Sequence, residues 1–218
     1  MIALSFASAP DTPLRVLCLG AHSDDIEIGC GGTVLRLAAA RCVDVTWVVL
    51  SADAARAGEA RRGADLFLRS AARASVLVKE FRDGFFPYVG ADVKTYFEEL
   101  KAIVSPDVVF THYRADRHQD HRLVSELTWN TFRDHLILEY EIPKWDGDLG
   151  SPNCYVALDE ETCGRKTDYL LATFQSQIGK RWFTADTFQG LMRVRGIEAG
   201  AAEGYAEAFY AHKLVCDV

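Results

Sequence analysis

The chain has no pair of cysteines spaced as C-x-x-C. Its six cysteines, at 18, 30, 42, 154, 163 and 216, are scattered, which excludes a zinc finger of the cysteine type. All six read as reduced thiols, as suits the cytoplasm, and Cys18, inside an apolar run, serves as a small apolar side chain. Positive charge is short too. Lys and Arg number 24 against 31 Asp and Glu, a net charge of −7. No basic patch stands out, so nucleic acid is not an expected partner. The richest basic stretch, Arg56 to Arg73, also carries Glu59 and Asp65 and reads as a solvated helix face. No apolar run is long enough to span a bilayer. Ala7-Ser8-Ala9 has the form of a signal-peptidase site, but the segment before it lacks a positive charge and a sufficient apolar core. A soluble cytoplasmic protein is the expectation.

What is present is apolar bulk. Hydrophobic residues make up 49% of 218, enough for one sizeable core. Residues 1–13, with Pro10 and Pro13, read as a flexible tail, and 14–218 as a single domain. Buried runs such as Arg15 to Ala21, Val43 to Leu50, Asp107 to His112 and Leu136 to Glu141 alternate with helical segments. Gly29, Gly31 and Gly32 are read as opening a helix from Thr33 to Arg41, Arg56 to Ala74 as a helix, and Ser75 to Phe81 and Tyr205 to Val215 as strands. This alternation predicts an α/β fold with a mostly parallel central sheet.

Two polar clusters interrupt the pattern. His22-Ser23-Asp24-Asp25 follows the first run, and His118-Gln119-Asp120-His121 follows the run ending at His112. Ligands bind at the carboxyl ends of strands in open α/β sheets, near the point where strand order reverses, so the two loops are expected on one edge. Within the first, His22 and Asp25 project to one side of a helical turn and Asp24 points elsewhere. Within the second, one of His118 and His121 binds metal while the other faces substrate, and Asp120 orients an imidazole by accepting its N–H. Three ligands with a carboxylate and an imidazole to spare are the parts of a hydrolytic zinc site. His112 is expected near the site without touching the metal; His135 and His212 are expected to be structural. Gly29-Cys30-Gly31-Gly32 lacks the spacing of a dinucleotide loop and is read as serving close packing and a tight turn.

The residues from Ala21 to Thr33, Ala-His-Ser-Asp-Asp-Ile-Glu-Ile-Gly-Cys-Gly-Gly-Thr, resemble the AHPDDxExGxGG motif of the PIG-L/LmbE-like zinc deacetylases. Asp116 to His121 resembles that family's second motif, DxHxDH. The order of strands and helices agrees over residues 14–177. Gln175-Ser176-Gln177 and Tyr205-Ala206-Glu207-Ala208-Phe209 are similar to less specific family segments. The resemblance implies a Rossmann-like three-layer fold and hydrolysis of an N-acyl group, usually acetyl on an amino sugar. It implies that His22, Asp25 and His121 bind Zn2+, or another divalent first-row metal, that Asp24 is the general base acting on a metal-activated water, and that a protonated His118 stabilises the oxyanion. Arg62 and Asp83 fall where the family places substrate contacts. Ser23 replaces the usual Pro, Ile26 a frequent Glu, and Phe174 a frequent His; none removes a ligand or the base.

The expected partner is a small N-acetylated amino sugar or glycoconjugate. The competing readings are an amidase for a non-sugar or thiol-conjugate amide, and a catalytically idle sugar-binding protein of the same fold. Pro143 to Asn153 and Lys180 to Gly196 are expected to shape the pocket or a homo-oligomer contact. Trp145, Trp182, Phe183 and Arg193 are candidates for sugar contact or for packing.

Overall fold

In the computed structural model, which describes residues 3–6 and 12–215, the apolar run Leu14–Gly20 forms strand β1. It is buried at every position but Arg15, as the centre of a parallel sheet requires. Ala7-Ser8-Ala9, Pro10 and Cys216 lie outside the described residues, as do residues 1–2 and 7–11 of the expected tail. Phe6 packs on the core, and its carbonyl accepts from Arg41 Nη1 at 2.6 Å.

The remaining elements are α1 (Asp25–Ala40), β2 (Val43–Val49), α2 (Ala54–Phe67), β3 (Arg73–Val78), α3 (Gly90–Ile103), β4 (Val108–His112), α4 (Gln119–Thr131), β5 (Leu136–Tyr140), β6 (Cys154–Leu158), α5 (Glu160–Thr173), α6 (Ala185–Ala199) and β7 (Tyr205–Ala211). The seven-stranded sheet has the order β3-β2-β1-β4-β5-β7-β6. Strands β1 to β5 pair in parallel; β7 runs antiparallel to both β5 and β6. Successive side chains of β1 serve opposite cores. Val16 and Cys18 face the layer of α1, α2, α5 and α6, while Leu17 and Leu19 face α3 and α4. The fold is thus the expected three-layer α/β arrangement. Among the described residues no helix is long and apolar enough to cross a membrane.

Several boundaries differ from the sequence reading, among them the strand read as Ser75 to Phe81, which runs over Arg73–Val78. Helix α1 starts at Asp25, not Thr33, so the glycines lie inside it. They are there for close approach: a Cβ at Gly29 would run into the Tyr140 ring, and one at Gly31 into the Phe67 ring. Helix α2 stops at Phe67, because the residues from Arg73 are drawn into an edge strand by pairing with β2. Strand β7 ends at Ala211, where its pairing with β5 ends. The order places β1 between β2 and β4, with the chain leaving β1 on one side and returning on the other. The loops after β1 and β4 therefore emerge together at the carboxyl edge, at the switch point.

Candidate metal centre

The loop after β1 is folded by its own polar groups. The His22 N–H donates to Asp25 Oδ2 at 2.6 Å. Asp24 is the residue preceding α1, yet its side chain makes no capping bond, which leaves that carboxylate unspent. At the second loop His118 caps α4, its Nδ1 accepting the Asp120 N–H at 3.3 Å. His121 lies in the first turn of α4. His22, Asp24, Asp25 and His121 are all buried, at 7%, 4%, 3% and 2% exposure.

The two loops meet. His22 Nδ1 lies 3.2 Å from His121 Nε2 and 3.3 Å from Asp25 Oδ2, and His121 Nε2 lies 3.5 Å from Asp25 Oδ1. Within this trio Asp25 faces the two imidazoles with different oxygens, Oδ2 toward His22 and Oδ1 toward His121, at distances near the roughly 3.3 Å between ligands of one tetrahedral ion. Among the described residues, the groups whose single ligand atoms converge are His22 with His118 and His121, His22 with Asp83, His118 and Asp120, and Asp25 with His112 and His121; His22 and His121 recur among them, and Asp25 stands with His121 in the last. Hydrogen bonding separates them. A neutral His118 whose Nδ1 accepts the Asp120 N–H carries its proton on Nε2 and has no lone pair there to offer. His112 Nε2 likewise accepts, from the Ala21 N–H at 3.0 Å.

The histidines of the trio are oriented from behind by carboxylates, a common arrangement around metals. His121 Nδ1 lies 2.8 Å from Asp116 Oδ2, and Lys144 Nζ donates to the same oxygen at 2.9 Å. His22 Nε2 faces Asp120 Oδ2 at 3.3 Å and Asp83 Oδ1 at 3.1 Å. Asp120 is itself fixed by the N–H groups of Gly84 and Phe86, at 2.6 and 3.1 Å. His112 stacks on His121, ring centroids 3.9 Å apart, with Nε2 3.2 Å from Asp25 Oδ2.

The electrostatics favour a cation. Burial opposes charge on His22, but Asp25, Asp120 and Asp83 outweigh it and raise the imidazole pKa well above its ordinary value. Burial also opposes ionisation of Asp25, yet the imidazoles of His121, His112 and His22 hold it well below the usual carboxylate range. Burial and the His112 ring bring His121 down to about 4. Burial, and then the Asp25 carboxylate, push Asp24 up to about 6. His118 is lowered, by burial and by His22. With Nδ1 occupied as a cap, Nε2 is the ring nitrogen left to act on a substrate.

A cavity of about 210 Å³ opens over the trio, lined by Asp24, His118, Arg56, Lys144, Trp145 and Trp182 among others. Asp83 lines it as well. Arg62 does not: it is exposed on α2, and Arg56 takes the place expected for it. Arg56 Nη1 donates to Asp83 Oδ2 at 3.0 Å, its Nε to Ser23 Oγ at 3.2 Å, and its Nη2 lies 3.8 Å from Asp24 Oδ1. Trp145 is 68% exposed at the cavity, while Phe183 is a core residue, 3% exposed. Arg193 is exposed with its guanidinium near the Tyr205 ring, away from the cavity lining. Arg56 and Lys144 escaped the sequence reading because each acts across the fold, with partners 27 and 28 residues away.

The family model described as PIG-L: GlcNAc-PI de-N-acetylase matches residues 17–132. A curated relative, the uncharacterized deacetylase YaiS of Escherichia coli (strain K12), is 31% identical over 139 residues, covering 59% of this chain and 74% of that protein. Among solved structures, GalB, the 4-carboxy-2-hydroxymuconate hydratase from Pseudomonas putida KT2440, superposes with a TM-score of 0.75 at 17% identity, covering 94% of this chain and 98% of its own. The N,N'-diacetylchitobiose deacetylase from Pyrococcus horikoshii superposes with a TM-score of 0.64 at 21% identity, covering 90% and 83%. A hydratase and a deacetylase thus share this fold, and the reaction has to be argued from the site.

Proposed function

This chain belongs to the PIG-L family of de-N-acetylases, and from that premise we propose that it is a zinc-dependent N-deacetylase of an N-acetylated amino sugar or its conjugate. As a family member it is a hydrolase of amide bonds. The observation that carries the reading is the meeting of His22 Nδ1 and His121 Nε2, 3.2 Å apart, with the Asp25 carboxylate, whose Oδ2 lies 3.3 Å from His22 and whose Oδ1 lies 3.5 Å from His121. These three would hold the ion.

A divalent metal bound there would polarise an amide carbonyl and acidify water. The rest falls to the chain's own groups. Asp24, free of any capping bond and with its pKa raised to about 6, is suited to take a proton near neutral pH. The His118 Nε2–H donates to the carbonyl oxygen as negative charge grows on it, a contribution of roughly 100- to 1000-fold in rate. A neutral His118 has no second proton to give. The proton that Asp24 takes from water is therefore the one it returns to the leaving amine. Arg56 holds Asp83 and Ser23 in place beside Asp24 and gives this carboxylate a nearby positive charge.

In this reading residues 14–218 act as one domain. A cytoplasmic setting is supported by the free thiols of Cys18, Cys30, Cys42, Cys154 and Cys163. The test is release of free amine from N-acetylglucosamine, its glycosides and its nucleotide derivatives, with and without chelator, alongside thiol-conjugate amides. Chelator-sensitive release from the sugar series is expected. Release confined to the other amides would overturn the substrate, and none from any amide by metal-loaded protein would overturn the activity.

A further inference from the structure

Helix α1, which carries Asp25, is gripped from below by a buried ion pair that the proposed chemistry does not use. Lys166 on α5 and Glu207 on β7 are 2% and 4% exposed, and Lys166 Nζ lies 2.6 Å from Glu207 Oε1. Both reach into the middle of α1. Lys166 Nζ also donates to the Ile28 carbonyl at 2.6 Å. Glu207 accepts the Gly32 N–H at 2.8 Å and the Thr33 N–H at 2.6 Å. In an α-helix the Gly32 N–H is directed at the Ile28 carbonyl; here each of those two groups has a side-chain partner from another element. Gly32 admits this grip, since a Cβ there would crowd Leu158 and stand 3.0 Å from Glu207 Oε1.

Lys166 and Glu207 thus fix α1 from outside within its first turns, close to Asp25, which opens the helix directly after Asp24. Burying two charges is expensive, and an apolar pair of similar size would often be at least as stable. Stability alone therefore does not account for the pair, whereas placement of the metal-binding turn does.

We propose that Lys166 and Glu207 are positioning residues for the metal centre, gripping α1 at Ile28, Gly32 and Thr33 so that Asp25 meets His22 and His121. The inference rests on the reading of Asp25 as a metal ligand. Both residues lie outside the segment 17–132 matched by the family model, so the metal-binding turn depends on a part of the chain beyond that segment.

The test is Co2+ titration of the full chain, followed by its visible spectrum, in wild type, Lys166→Met, Glu207→Gln and Lys166→Arg. The Met and Gln variants should bind about 10- to 100-fold more weakly, as expected when groups behind metal ligands are removed, with a changed spectrum. Lys166→Arg, which keeps the charge and the donors, should recover most of the affinity. Folded Met or Gln variants with wild-type affinity and spectrum would overturn the proposal, however far their melting temperatures fall. If neither variant folds, amide exchange in wild type decides. Metal loading should protect the Gly32 and Thr33 amides while leaving β3 unchanged, and unchanged protection at those two amides would overturn it. Wild type that binds no Co2+ would remove the metal reading and this inference together, a result distinct from normal binding by the variants.

Discussion

The two walls of the cavity are built by different rules. One wall comes from the loops after β1 and β4. Its side chains are buried, and most of their polar atoms have a named partner: His121 has Asp116, His22 has Asp120, and Asp25 has the His22 N–H. The other wall comes from Ile142 to Asp146 and from Gln177 to Trp182, and its Trp145 is 68% exposed. A group that must meet a developing charge has to be fixed beforehand. A group that recognises the remote part of a substrate can sit on a loop and face solvent. The first wall is thus suited to bond breaking and the second to selecting what is attached to the reacting group.

Substitutions that break this contrast should fall in a definite order. His121→Ala should remove the metal and all turnover, read by metal content and amine release together. Asp24→Ala should keep the metal while turnover falls about 100- to 10,000-fold; full activity in this variant would exclude Asp24 as the base. His118→Ala should cost roughly 100- to 1000-fold in kcat with metal content unchanged. Asp116→Asn, which weakens the hold on His121 without touching the trio, should lower metal affinity about 10- to 100-fold, measured by competition with a chelating dye. Trp145→Ala should be the mildest. Loss of one aromatic contact is worth about 0.5–1.5 kcal/mol, a few-fold in KM for conjugates and none in metal affinity. A Trp145 variant that lost metal, or an Asp116 variant that changed only KM, would erase the division between the walls.

The same division marks what could be read from the sequence. His22, Asp24, Asp25, His118 and His121 were legible because each group of them falls within four residues, in the loop or first helical turn that follows a buried strand. The sheet order that brings the loops together follows from general rules for α/β connections. Whatever depends on a distant partner was not legible. Lys144 reaches Asp116 across 28 residues, and Lys166 reaches Glu207 across 41. Arg56, not Arg62, faces the cavity because α2 begins at Ala54, capped by Asp53, which turns its first residues toward Asp83. The cap that His118 Nδ1 makes on α4 was not legible either. The start of α1 was misplaced because glycines are poor helix formers by propensity, whereas here packing against Tyr140 and Phe67 decides.

The most direct measurement is an anomalous-scattering map from crystals grown with zinc, collected on either side of the zinc absorption edge. The account predicts one peak within bonding distance of His22 Nδ1, Asp25 and His121 Nε2, with His118 outside the coordination sphere. A peak bonded to His118 in place of Asp25, or no peak at this edge of the sheet, would contradict it.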